Sequence, residues 1–261
     1  MAPRTRKQRE IHERHGLILD VARRLLLERG YLGLTMDRIA AATEYSKGTI
    51  YQHFSCKEEV VISLVIETAK IRAALYERAA TFQGGTRERL TAVGAAAEQF
   101  VRRYPDHFQS ELVIRTSSVR QKCSAEKQVE MAGCEQRCMQ VVTGIVQSGI
   151  AAGDLTLPDG LSPGDLTFGL WSMYVGAFVL AASDAPIDQL GVTDPARALN
   201  ETYARFLDGY GWRPLSTEWD YDAKLERVYR EVFPEALSKA APRRSAPAVG
   251  SGVGSGSGED R

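Results

Sequence analysis

The sequence predicts an all-α protein. Three observations predict it. Apolar residues recur at helical spacing along most of the 261 residues, strand-like alternation is nearly absent, and Pro falls between the periodic segments or at their starts rather than inside them. At 44% hydrophobic and 25% charged, the composition is that of a globular chain long enough to bury a substantial core.

Ile18, Val21, Ala22 and Leu25 mark the first helix, which Gly30 is expected to stop. Thr35 is placed to cap a short helix carrying Met36, Ile39 and Ala40, and Ser46 to cap the next, which runs to about Phe54. Ser55 with Glu58 reads as a capping box opening a long helix to about Phe82. Beyond Gly84 and Gly85 the pattern gives helices at 86–103, 106–118, 124–151, 163–183, 195–208 and 217–233, punctuated by Gly153, Pro158, Pro163, Pro186, Pro195 and Pro214. The division expected is a unit of residues 1–59 with its motif at about 35–54, a body of residues 60–234, and a disordered Gly/Ser/Pro-rich tail at 235–261.

Charge is uneven although the total is zero. Residues 1–57 hold 11 basic and 6 acidic side chains out of 33 of each in the chain, so the first quarter is basic and the rest acidic. That asymmetry suits a partner that is a polyanion at one end. Four cysteines (56, 123, 134, 138) make no secreted disulfide framework, and a cytoplasmic location is expected. The uncharged run from Leu166 to Ser183 contains Gly169, Ser172 and Gly176, falls short of a strongly apolar span, and reads as a buried helix. Enzyme signatures, cofactor motifs and metal-ligand spacings are not found, and Cys134 and Cys138 read as buried structural thiols.

Residues 35–57 carry the functional signal. Two short helices joined by a tight turn form a helix-turn-helix, whose second helix enters a major groove. Ile50 and Phe54 share its inward face, which turns Gly48 and Gln52 outward with Thr49 and Tyr51 beside them. Gly48 lets the backbone approach DNA, Gln52 can pair with adenine, and Lys47 and Thr49 can reach bases or phosphates. Tyr51, His53 and Lys57 are suited to phosphate oxygens, and Thr35 completes the candidate DNA-binding set. The basic stretch from Arg4 to Arg9 is either a minor-groove arm or a solvated tail.

These residues resemble the TetR family of transcriptional regulators. Ile18-Leu19-Asp20, Gly30-Tyr31, Thr35-Met36, Ile39-Ala40, the run Ser46 to Phe54, and Lys57-Glu58-Glu59 match its signature over about residues 11–66, in one register. Thr43-Glu44-Tyr45 departs from the family's usual turn, which has a glycine where Glu44 stands. The resemblance implies an N-terminal three-helix bundle with the helix-turn-helix, plus a larger α-helical domain that binds a ligand and dimerises. It also implies DNA contacts from Lys47, Thr49, Tyr51, His53 and Lys57. Family likeness places the two-fold interface on helices 163–183 and 195–208. Phe100, Tyr104, Met131, Met139, Trp171, Tyr174 and Phe178 are the candidate pocket for an apolar or aromatic effector.

The function expected is a homodimeric repressor, not an enzyme, released from an inverted-repeat operator on double-stranded DNA by a small molecule. The alternative is a nucleoid or protein-interaction factor using the same DNA grip without a ligand. Operator sequence, effector and regulated genes are not legible.

Overall fold

The structure, a computed structural model, describes residues 5–115, 122, 124–183 and 186–237. Arg4, Cys123, the expected end of the 106–118 helix and the tail beyond 237 lie outside the described residues. The described residues form helices and turns, with no strand among them.

Helix α1 (Arg6–Gly33) begins earlier than the apolar periodicity suggests. Thr5 caps it by accepting from the Gln8 amide while the Gln8 side chain accepts from the Thr5 amide at 2.9 Å. Arg6 and Glu10 pair at 2.9 Å one turn apart. The basic stretch from Arg6 to Arg9 is therefore helical, which corrects the expectation of an arm or tail there. Gly30 kinks the helix at φ 66° rather than ending it.

Helices α2 (Met36–Thr43) and α3 (Lys47–His53) start on the expected caps, with Thr35 accepting from the Arg38 amide and Ser46 from the Thr49 amide. Glu44 between them takes the left-handed conformation (φ 58°, ψ 20°) and donates its amide back to α2. Glycine would reach that conformation without the Cβ clash, which costs about 1–2 kcal/mol. Helix α4 (Lys57–Ala80) has Cys56, not Ser55, at its cap. The Ser55 amide and hydroxyl both donate to Glu59 at 2.6 Å, so the expected Ser55–Glu58 box is displaced by one residue.

The body adds α5 (Thr86–Arg103), α6 (Pro105–Arg115), α7 (Ala125–Ala152), α8 (Pro163–Ala181), α9 (Pro195–Gly209), α10 (Tyr221–Val232) and α11 (Pro234–Leu237). Two cores result. The first joins α1, α2 and α3 to Val60–Ala69 of α4, Ile114 of α6, and Met131 and Cys134 of α7. The second runs from Leu75 through α5, α7, α8 and α9 to Val228 and Phe233. Helix α6 touches both, since Phe108 sits in the second core and Ile114 in the first.

A polar junction fastens α6 to the N-terminal unit. The guanidinium of Arg23, buried in α1, donates to Glu67 at 2.6 Å and to Ser110 at 3.0 Å, and His107 shares a 3.1 Å hydrogen bond with Thr68. Burial, and then the charge of Arg23, hold His107 at about 4, against an ordinary 6.5. The unfolded chain takes up this proton near pH 6.5, whereas the fold refuses it until near 4. Stability is thus complete above the unfolded value and is lost as pH falls from about 6.5 to about 4, by roughly 2 kcal/mol after discounting for partial exposure. His107→Gln is expected to flatten the urea midpoint against pH across that window. An unchanged slope would show that His107 carries no such load.

Two expectations are corrected in the body. Only Leu166, Thr167 and Leu170 of α8 are buried, whereas Phe168 is 65% and Leu180 54% exposed. A helix that is apolar all round needs cover on two sides, and within one chain only one side has it. By length and hydropathy this helix is also long and apolar enough to cross a membrane. The tail does not begin at 235. Pro234–Leu237 form a helical turn in which Glu235 binds Arg78 at 2.6 Å and Arg103 at 3.0 Å, and the bond from Arg78 leads in pulling its carboxyl down to about 2.

Candidate nucleic-acid interface

Helix α3 rests on the first core through Ile50 and Phe54, which are 0% and 2% exposed. Rotating from that face brings Gly48, Tyr51 and Gln52 into solvent, with Tyr51 half exposed. A Cβ at Gly48 would meet only the Ser46 hydroxyl, at 3.7 Å, so the outer side of the helix is open for close approach. Thr35 is exposed at the start of α2, its hydroxyl committed to the Arg38 amide at 3.2 Å. Thr49 is half-buried, its hydroxyl 2.9 Å from that of Ser46.

The remaining three candidates have partners within the protein. Lys47 reaches across to Asp37 of α2 at 2.8 Å, and this bond raises its pKa. Lys57 lies over the Tyr31 ring at 4.1 Å and donates to the Tyr31 carbonyl at 3.3 Å. Its approach to a phosphate would require leaving that seat. His53 is half-buried, 6.1 Å from the His15 ring, and His15 stacks on Phe54 at 4.6 Å. Burial comes first in lowering both imidazoles, followed by Arg14 for His53 and by His53 for His15.

Reasoning from the sequence missed Asp37, His15 and Tyr31. The Tyr31 hydroxyl donates to Glu58 at 2.7 Å, and burial together with that bond pushes the phenol up to about 12. None of these pairings has a local spacing signal, because each joins different helices.

Asp37 holds the Lys47 ammonium much as a phosphate would. Asp37→Asn is expected to raise affinity for random duplex DNA by freeing Lys47. The gain should vanish when Lys47 is already alanine. If Asp37→Asn raised affinity equally in both backgrounds, its charge would act on DNA directly and not through Lys47.

A sequence profile of bacterial regulatory proteins of the tetR family matches residues 18–64. The chain carries a TetR-family N-terminal domain. The TetR-family match covers all of the helix-turn-helix and ends inside α4. The transcriptional repressor AcnR of Corynebacterium efficiens is 44% identical over 52 residues, which are 20% of this chain and 28% of that repressor. The uncharacterised regulator YdeS of Bacillus subtilis is 36% identical over 69 residues, 26% of this chain and 35% of that protein. The chain thus matches about a third or less of the length of these curated relatives. A tetR-family regulatory protein from Rhodococcus RHA1 superposes with a TM-score of 0.61 at 19% identity, covering 76% of this chain and 97% of that one. That likeness extends the shared fold from the TetR-family domain into the body.

The body does not gather the seven pocket candidates into one place. Met139, Trp171 and Tyr174 line a cavity of about 30 Å³ with Tyr76 and Tyr203. That is room for about one water molecule. The Tyr174 hydroxyl sits where a Cβ on Gly94 would be, 2.2 Å away, so its ring fills the space a ligand would need. Phe100 is buried with Tyr104 stacked beside it at 6.1 Å, and Met131 belongs to the first core. Phe178 faces a separate groove. Cys134 and Cys138 are buried free thiols, and burial pushes Cys138 up.

Proposed function

We propose that the protein is a DNA-binding transcriptional regulator, acting in the cytoplasm as a homodimer that a small-molecule effector releases from an inverted-repeat operator. The observation that carries this reading is α3, seated on Ile50 and Phe54 with Gly48, Tyr51 and Gln52 turned outward on a TetR-family domain. The repressor named among its relatives supports regulation through that domain. Support for a dimer comes from α8, whose apolar stripe of Phe168, Val179 and Leu180 is exposed in one chain. A two-fold axis beside that stripe would pair two recognition helices.

Selection of random duplexes on the full-length protein tests the reading, and enrichment of an inverted repeat is the expected result. No enriched sequence would overturn it. On the selected operator, Gln52→Ala should cost about 1–3 kcal/mol, with little loss on random DNA. Tyr51→Phe should weaken both duplexes alike by a smaller factor, because a phosphate contact carries no sequence information. If Tyr51→Phe altered specificity instead, the rotation of α3 in the groove would differ from the one proposed.

A further inference from the structure

A concavity much larger than the central cavity lies elsewhere in the body. Helices α5, α8, α9 and α10 enclose a groove of about 940 Å³, within the size of sites that hold small organic molecules. It lies on the inward side of α8. Ala177, Phe178 and Ala181 continue the stripe of Leu166, Leu170 and Tyr174 at spacings of three and four, whereas Phe168, Ser172 and Val179 point the other way.

Its walls are aromatic and acidic. Glu98, 15% exposed, accepts from Arg102 at 2.9 Å and from the Tyr229 hydroxyl at 3.3 Å. Tyr221 and Phe178 add ring surface, and the rim carries Asp194, Glu201 and Asp222. Four carboxylates thus face two guanidiniums, of which Arg197 is held by Glu201 at 2.9 Å and Arg102 is 65% exposed. Aromatic faces beside surplus carboxylate attract a cation and repel an anion.

The groove also touches the junction with the N-terminal unit. Phe178 meets Phe108 of α6 edge to face at 6.0 Å, and Ser110, two residues on, accepts from Arg23 of α1. We propose that this groove is a binding site for an organic cation with an aromatic or aliphatic body, whose occupancy shifts Phe178 and through it α6. The site stands on the groove's own chemistry, while its effect on DNA rests on the release reading above.

The test titrates the full-length protein with tetraphenylphosphonium and with tetraphenylborate, two ions of one shape and opposite charge. The phosphonium should bind at a single saturable site and the borate at least about tenfold more weakly. Ala181→Trp fills the groove at an exposed position and should abolish binding without moving the melting temperature. Glu98→Gln should weaken the phosphonium about tenfold. Should that variant melt early, Asp222→Asn on the exposed rim reports the same charge dependence. Equal binding of both ions, or phosphonium binding retained by Ala181→Trp, overturns the proposal. Operator retention is read in the same samples. Phosphonium bound in the groove with DNA still held leaves the site standing and sinks the release reading. Release that persists in Ala181→Trp does the reverse.

Discussion

Arg87→Met is expected to lower the unfolding free energy by about 3–5 kcal/mol, the usual cost of removing one partner from a buried ionic cluster. Arg87 is 1% exposed. Its guanidinium donates to the carbonyls of Trp212, Pro214 and Ala204 at 2.6–2.7 Å and pairs with Asp208 at 2.7 Å. Burial pushes the Asp208 carboxyl up, but bonds from Ser216 and Arg87 outweigh it and hold the group below its ordinary range. Methionine keeps the length of the side chain and satisfies none of these acceptors, so three carbonyls lose the guanidinium in one step and the Asp208 carboxylate keeps only its bonds from Ser216. Trp212 would loosen with them, because its indole sits against Gly149 and donates to Thr86 at 3.0 Å. Urea unfolding followed by circular dichroism checks the figure, and a loss below about 1 kcal/mol would mean that water replaces the arginine there.

Phe54→Ala is expected to cost a similar amount, about 3–5 kcal/mol, at the opposite end of the molecule. Phe54 is 2% exposed, closes α3 as its C-cap residue and stacks on His15. Emptying that position removes the wedge that sets α3 against α1. Chain stabilities of about 5–15 kcal/mol leave little margin after such a loss. The same substitution should let water reach His15, whose imidazole then titrates closer to its ordinary value. A melting curve reads the first effect and a histidine-resolved NMR titration the second. Unchanged His15 titration would show that Phe54 is not what buries it.

What could be read from the chain was what neighbouring residues decide among themselves. Thr35 and Ser46 cap as expected because their oxygens bond amides three residues away. The seat of α3 on Ile50 and Phe54 follows from a four-residue spacing. The start of α1 was missed because Arg6, Glu10 and Arg14 have no apolar rhythm, although their charges support a helix at one-turn intervals. Ser55 was misassigned by one residue because Glu58 and Glu59 offer equivalent carboxylates, and Tyr31, far away in sequence, takes the first. Asp37 on Lys47, His15 on Phe54 and Arg23 on Ser110 all lie between helices, where no spacing rule reaches. The candidate pocket failed to converge for the same reason. Aromatic residues at helical spacing say that a face is apolar, not whether a neighbouring side chain already fills the space in front of it.

Helix α4 is one unbroken rod shared by both cores, and this sets where the protein can be recombined. A chimera that joined residues 1–59 to a foreign body would discard Val60, Val61, Leu64, Val65 and Ala69, all buried against the helix-turn-helix unit. The transplanted reader would arrive without half of its own floor. The natural suture lies near Lys70, which is exposed, about three and a half turns inside the rod. Engineers grafting this reader onto another sensor should carry the helix across to that point and match helical phase there, because each residue of offset would swing the whole reader by about 100°.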